Sequence, residues 1–290
     1  YEIVSRDWSS DVCSSDLNAM ADVREQPIGV FDSGFGGLTV VRSLIDLMPN
    51  ESLVYIGDNG RYPYGNKPAS EVRDYSVELA ESLVRDHGAK MIVVACNTAA
   101  SVALEVLSAS LTVPVIGVIE PGARALARVT HNGKVGVIGT VGTIASGAYD
   151  TAVAATGAEV MLTSAACPGF VEFVERDQTT GDEVTVLAER LLAPVRAAGV
   201  DSLLLGCTHY PYLARVISEV MGPGVVLVSS ADETAFYVKE MLESRGIART
   251  TGEGEHRFLS SGDIAWFAEL GRRLLGPELT SAHQWTIRQK

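Results

Sequence analysis

Short unbroken apolar runs rich in β-branched residues recur along the chain. Between them lie longer stretches in which apolar residues return every three or four positions. The runs predict strands at Ile28–Phe31, Ser52–Ile56, Met91–Ala95, Val115–Val118, Lys134–Ile138, Glu159–Leu162, Ser202–Leu205, Val225–Val228 and His256–Leu259. The intervening stretches predict helices, among them Glu71–His87, Ala99–Ser108, Ile144–Ala155, Gly181–Ala198 and Pro211–Val220. Strands without polar alternation, joined by helices, belong to parallel sheets covered on both faces, so the expected class is α/β.

The pattern also echoes itself. Ile28-Gly29-Val30-Phe31-Asp32-Ser33-Gly34 resembles Val135-Gly136-Val137-Ile138-Gly139-Thr140-Val141, and Val93-Val94-Ala95-Cys96-Asn97-Thr98 resembles Leu204-Leu205-Gly206-Cys207-Thr208-His209. Cys96 follows Asp32 by 64 positions and Cys207 follows Gly139 by 68. An apolar strand running into a polar turn is common in this class, but the shared order and spacing favour two similar α/β domains. Ligands in such folds sit beyond the carboxyl ends of strands, which makes the cleft between the halves the expected site.

Composition narrows the picture. With 290 residues, 47% hydrophobic and 20% charged, the chain suits one large or two medium globular domains and excludes disorder. No apolar run approaches the ~20 residues of a membrane helix, so no membrane partner is expected. The net charge is −13, which disfavours nucleic acid and anionic lipid as partners. Residues 1–19 lack the features of a signal peptide, and Asn18-Ala19-Met20 resembles the scar of a removed expression tag, so the native start is expected at Met20. Without that stretch, whose four acids and one arginine carry −3, the chain keeps −10. Cys96, Cys167 and Cys207 then remain, too few for a disulfide framework and without zinc spacing. They are expected as free thiols in a cytoplasmic protein, with no metal.

Three motifs carry candidate chemistry. In Phe31-Asp32-Ser33-Gly34-Phe35-Gly36-Gly37, a strand ends in a carboxylate and a hydroxyl before a glycine turn into a helix. The dinucleotide fingerprint fails here, because Thr39 stands where it needs Gly or Ala, and there is no Walker lysine. Asp32 or Ser33 could simply cap the helix. In Val93 to Ser101, Cys96 ends a strand at a helix N-terminus, an environment expected to lower its pKa, and Asn97 and Thr98 offer donors for a carboxylate. The alternative is a buried structural cysteine. Leu203 to Leu213 repeats that arrangement with Cys207, Thr208 and His209, the last able to move a proton or supply positive charge. Two thiols presented from opposite halves to one carbon suit stereoinversion, one removing a proton while the other delivers one.

Taken together, Asp32-Ser33-Gly34-Phe35-Gly36-Gly37-Leu38-Thr39-Val40, Tyr55 to Gly65, Val93 to Ala99 and Leu205 to Pro211 resemble the glutamate racemase family of the cofactor-independent aspartate/glutamate racemase superfamily. The resemblance runs from about Ile28 to Leu259. It implies interconversion of L- and D-glutamate, with D-glutamate supplied to peptidoglycan synthesis, and no cofactor. It implies Cys96 as the base acting on D-glutamate, Cys207 as the base acting on L-glutamate, and Asp32 and His209 as their assisting groups. Asp32, Ser33, Tyr64, Gly65, Asn97, Thr98, Thr208 and His209 match the family's substrate contacts. Glu175 matches a residue supporting His209, although the segment Cys167 to Glu175 departs from the family pattern by carrying Gly169 and Glu172 in place of Leu and Pro, and Glu172 is a rival for that role. Cys167 has no echo in the first half and reads as structural.

The resemblance further implies two domains related by a pseudo-two-fold axis, the chain crossing more than once. One is expected at 27–117 plus 228–260, the other at 118–227, with the tail from 261 packing on the first and Trp266, Phe267 and Leu270 as core or dimer contacts. A homodimer is implied. The rival readings are a racemase of aspartate or a hydantoin, and a non-catalytic thiol redox or regulatory protein.

Overall fold

The structure, a computed structural model, describes residues 23–286. The expected tag segment at 1–19 and the start at Met20 lie outside the described residues. Among those residues, no helix is long and apolar enough to cross a membrane.

The strands form two all-parallel sheets. The first contains β1 (Ile28–Asp32), β2 (Leu53–Gly57), β3 (Met91–Val94), β4 (Val115–Gly117), β9 (His256–Ser260) and β10 (Ala282–Gln284), in the order β10-β9-β2-β1-β3-β4. The second contains β5 (Lys134–Gly139), β6 (Met161–Ala166), β7 (Ser202–Gly206) and β8 (Val226–Ser229), in the order β6-β5-β7-β8. The segment β2-β1-β3-β4 therefore has the same order as β6-β5-β7-β8, so the echoed motifs occupy equivalent strands. Asp32 and Gly139 end β1 and β5, while Cys96 and Cys207 follow β3 and β7. The boundary expected after residue 227 cuts through β8, whose Val226–Ser229 pair with Ser202–Leu205 of β7 and extend the second sheet to Ser229.

Helices cover the sheets: α1 (Leu38–Leu47), α2 (Ala69–His87), α3 (Asn97–Ser110), α4 (Ile119–Val129), α5 (Val141–Ala145), α6 (Ala148–Ala155), α7 (Phe170–Glu175), α8 (Asp182–Leu191), α9 (Ala193–Ala198), α10 (Ala214–Met221), α11 (Ser230–Ser244) and α12 (Ile264–Leu275). The helix expected over Ile144–Ala155 is two, because Gly147 adopts φ +67° and breaks it. The stretch Gly181–Ala198 likewise divides at Leu192, with Pro194 in the first turn of α9. The strand expected at Glu159–Leu162 lies instead at Met161–Ala166, where Gly139 and Ala166 are in register.

The strand period of two assigns the faces of the second sheet. Val135, Val137 and Leu204 join the core cluster shared with the first sheet, whereas Ile138, Leu203 and Leu205 belong to a second cluster on the opposite face. The tail packs on the first sheet: α12 lies against α1, and β10 adds an edge strand.

At the amino ends of the first sheet's strands, Lys90 and Glu51 form a buried ion pair at 2.6 Å. The Lys90 ammonium also donates to the carbonyls of Arg24 (2.9 Å) and Ile247 (3.0 Å), and Glu51 accepts the Arg249 N–H at 2.7 Å. Burial lowers the lysine pKa, against the opposing effect of Glu51. Removing one member strands a buried charge, so Lys90→Met should lose ~3–5 kcal/mol of stability, while Lys90→Met with Glu51→Met should recover much of it. Urea denaturation of the two variants tests this, and equal losses would rule out stranded charge as the cause.

Candidate active site

The carboxyl ends of both sheets open onto one cavity of about 630 Å³, counted out to its mouth. Cys96 and Cys207 both line it, one from each sheet, with Ser33, Tyr64, Gly65, Asn97, Thr98, Thr208 and His209. Asp32 and Glu175 stand behind this lining. Among the described residues, no lysine or arginine lines the cavity.

Cys96 is the N-cap of α3, its Sγ accepting the Ala99 N–H at 3.5 Å and lying 3.7 Å from Ser33 Oγ. The expectation of a lowered pKa is corrected here. Burial pushes the thiol well above its ordinary value, the Asp32 carboxylate adds to the rise, and the bonds from Ala99 and Ser33 only partly oppose them. Burial and Asp32 thus hold Cys96 in its thiol form.

Asp32 is fully buried. Its Oδ2 accepts the N–H groups of Gly34 (3.2 Å) and Gly37 (3.0 Å), which braces the glycine turn, while Oδ1 has no hydrogen-bond partner among the described residues. The carboxylate thus braces the loop and raises the Cys96 thiol at once. Phe35, at the centre of the turn, is held by Trp266 (edge-on, 4.6 Å) and Phe267 (stacked, 5.4 Å) of α12; Phe267 is core, Trp266 is half-exposed, and both brace this loop.

Cys207 Sγ lies 4.0 Å from His209 Nδ1, and His209 Nε2 lies 3.7 Å from Glu175 Oε1. The latter distance is a Coulomb contact, too long for a hydrogen bond. Burial opposes charge on the imidazole, but Cys207, Glu175 and Asp32 outweigh it and raise the pKa to about 10. A protonated ring points one N–H at the sulfur and the other at the carboxylate. Glu175, not Glu172, is thus the partner of His209.

The two halves meet tightly. A Cβ on Gly36 would lie 2.2 Å from Thr208 Oγ1 and 2.4 Å from His209 Nδ1. Thr39 Oγ1 donates to the Thr208 carbonyl at 3.3 Å. On the other flank, the Thr98 hydroxyl lies 3.0 Å from Thr140 Oγ1 and 3.2 Å from Thr143 Oγ1, and Asn97 Nδ2 donates to the Tyr149 hydroxyl at 2.7 Å. Asn97 Oδ1 is buried without a hydrogen-bond partner among the described residues. Tyr64 donates to Asp58, which also accepts from Arg61 Nε (2.7 Å) and Ser261 Oγ (2.6 Å) and so orients the tyrosine.

Sequence reasoning missed several lining groups. Thr140 was signalled by its echo of Ser33. Tyr62, whose ring centroid lies 6.4 Å from that of His209, had no such signal. Cys167, read as structural, also reaches the cavity wall, where burial pushes its thiol up to about 12.

The chain is similar to known proteins along most of its length. The Asp/Glu/Hydantoin racemase family model matches residues 28–237. A glutamate racemase of Acidothermus cellulolyticus is 51% identical, over 89% of this chain and 98% of that protein. Among solved structures, glutamate racemase isoform RacE1 of Bacillus anthracis is 40% identical with a TM-score of 0.85, over 91% of this chain and 98% of that one. A Francisella tularensis glutamate racemase in complex with D-glutamate is 30% identical with a TM-score of 0.84, at the same coverage. With two equivalent strand-end thiols facing one cavity and this likeness over nine-tenths of its length, the chain belongs to the Asp/Glu/hydantoin racemase family, among the glutamate racemases.

Proposed function

We propose that the protein interconverts L- and D-glutamate by proton transfer at the α-carbon, with Cys96 and Cys207 as the two bases. The observation that carries this reading is that both thiols line one cavity from equivalent strand ends of opposite sheets. The His209 imidazolium supplies a counter-charge for a thiolate at Cys207, while burial and Asp32 keep Cys96 protonated. With L-glutamate bound, Cys207 serves as the base and Cys96 as the acid. The Cys207 thiolate takes the α-proton, and the Cys96 thiol gives its own proton to the opposite face. D-glutamate leaves with the two protonation states exchanged, and the reverse reaction restores them.

The α-proton beside a carboxylate is a weak acid, so charge developing on that carboxylate needs fixed donors. The free amides at the N-terminus of α3, the Asn97 and Thr98 side chains, and Thr208 supply them. Ser33, Tyr64 and Gly65 complete the proposed substrate contacts, and Glu175 positions His209. The chemistry needs no cofactor as electron sink. The same reading includes a homodimer, which sedimentation velocity tests, and a cytoplasmic supply of D-glutamate to peptidoglycan synthesis.

Circular dichroism of L-glutamate and L-aspartate incubated with the protein decides the substrate. Inversion of glutamate is expected, and inversion of aspartate alone would overturn the assignment. In deuterated water the product should carry deuterium at the α-carbon.

The raised His209 pKa also gives a stability prediction. A pKa raised on folding, here from 6.5 to about 10, stabilises the fold fully below the unfolded value and loses that effect as pH climbs through the folded one. The stability advantage of the native chain over His209→Gln should therefore be greatest below pH 6.5 and shrink towards pH 10. Chemical denaturation at a series of pH values measures it, and an advantage that grows with pH would mean a neutral His209.

A further inference from the structure

Helix α7 carries two carboxylates one turn apart, and only one of them serves His209. Phe170 and Val174 bury one face of this helix, with the Phe170 ring edge-on to Tyr210 at 5.3 Å. At about 100° per residue, Glu172 then points about 200° from Phe170 and Glu175 about 140° from it. Both lie off the buried face, Glu175 reaching His209 and Glu172 emerging exposed on the cavity wall. Gly169, with φ +93°, turns the chain into α7 and brings the helix to that wall.

The charge inventory of the cavity makes this position matter. Among the described residues that line the cavity, Glu172 is the only carboxylate, and no lysine or arginine is there to offset it. The imidazolium of His209 already faces Glu175 and Cys207. At neutral pH glutamate brings two carboxylates and one ammonium, a net −1, into a protein whose own charge is −13. We infer that Glu172 is a specificity-determining residue at the cleft mouth, where its carboxylate repels the anionic substrate and sets a higher KM without touching the proton transfers. This inference rests on reading the cleft as a glutamate site. By the same electrostatics, Glu172 disfavours small dianions lacking an ammonium group more strongly than it disfavours glutamate.

The test measures KM and kcat for L-glutamate across ionic strength in the native chain, Glu172→Gln and Glu172→Lys, together with the dissociation constant of D-glutamate by calorimetry. Removing one unit charge near the path should lower KM and the dissociation constant about two- to five-fold at low salt, with a further fall for lysine. kcat should stay the same. In the native chain KM should fall as salt screens the repulsion, and this dependence should flatten in Glu172→Gln. Unchanged or raised KM in Glu172→Gln, with the native chain turning over glutamate, would overturn the inference alone. A rise in particular would mean that Glu172 holds the substrate ammonium. A native chain that neither binds nor inverts glutamate would overturn the inference together with the reading of the site.

Discussion

Cys96→Ser and Cys207→Ser should each lower glutamate inversion by ~10²–10⁴-fold, the usual contribution of a positioned acid or base. The serine hydroxyl is far too weak an acid to exchange roles as a thiol does. Loss of fold would not explain the result for Cys96, because its Sγ caps α3 through the Ala99 N–H and serine is a favoured N-cap residue. The variants should also separate the two faces of the substrate. In deuterated water, Cys96→Ser retains the thiol proposed to act on L-glutamate, so it should exchange the α-proton of L-glutamate without inverting it. Cys207→Ser should do the same with D-glutamate. Proton NMR of the α-position reads both outcomes. Inversion within ten-fold of the native rate in either variant would mean that the bases are wrongly assigned.

Gly36→Ala should lower activity by about 10²-fold, the scale on which ~1 Å of misplacement acts in an active site. The added methyl would overlap Thr208 Oγ1 and His209 Nδ1, so these two cleft side chains would have to leave the positions they hold. The Gly36 loop cannot retreat either, since Asp32 holds it through Gly34 and Gly37, and Phe35 is packed against Trp266 and Phe267. The useful contrast is Gly147→Ala. That glycine has φ +67° and open space around its would-be side chain, so alanine there strains the backbone by about 1 kcal/mol and leaves the cleft alone. Gly147→Ala should lower the melting temperature while inversion proceeds. Native activity in Gly36→Ala would show that the two halves do not need this close approach.

Most of the fold was legible because the strands are apolar on both faces and end at glycine or polar turns. The exceptions have physical causes. β6 ends in Thr163-Ser164-Ala165-Ala166, small and polar residues whose strand state depends on pairing with β5 rather than on their own propensity. β10 was unread because Ala282–Gln284 has no strand pattern and exists as an edge beside β9. In the site, the echo located the thiols and their neighbours, since each lies next to a strand end in sequence. It did not locate Tyr62, Thr143 or Tyr149, which reach the cleft or its flanks only through contacts between the halves. The sign of the Cys96 shift was also misread. A helix N-terminus favours a thiolate, but a sequence does not show that the same sulfur is enclosed and shares its surroundings with Asp32.

The matched strand orders β2-β1-β3-β4 and β6-β5-β7-β8 bear on kinetics. Enantiomers have equal free energies in water, so the catalyst must accelerate both directions to the same kcat/KM however its two flanks differ. Perfect internal symmetry would go further and give both antipodes the same kcat and the same KM. The places where the repeat is broken, Asp32 against Gly139 and Thr98 against His209, can make the antipodes differ only in how tightly each is held and how fast its bound form turns over, and those two differences must compensate. Unequal maximal velocities for the two antipodes, matched by proportionally unequal Michaelis constants, are therefore the kinetic imprint expected of this imperfect repeat.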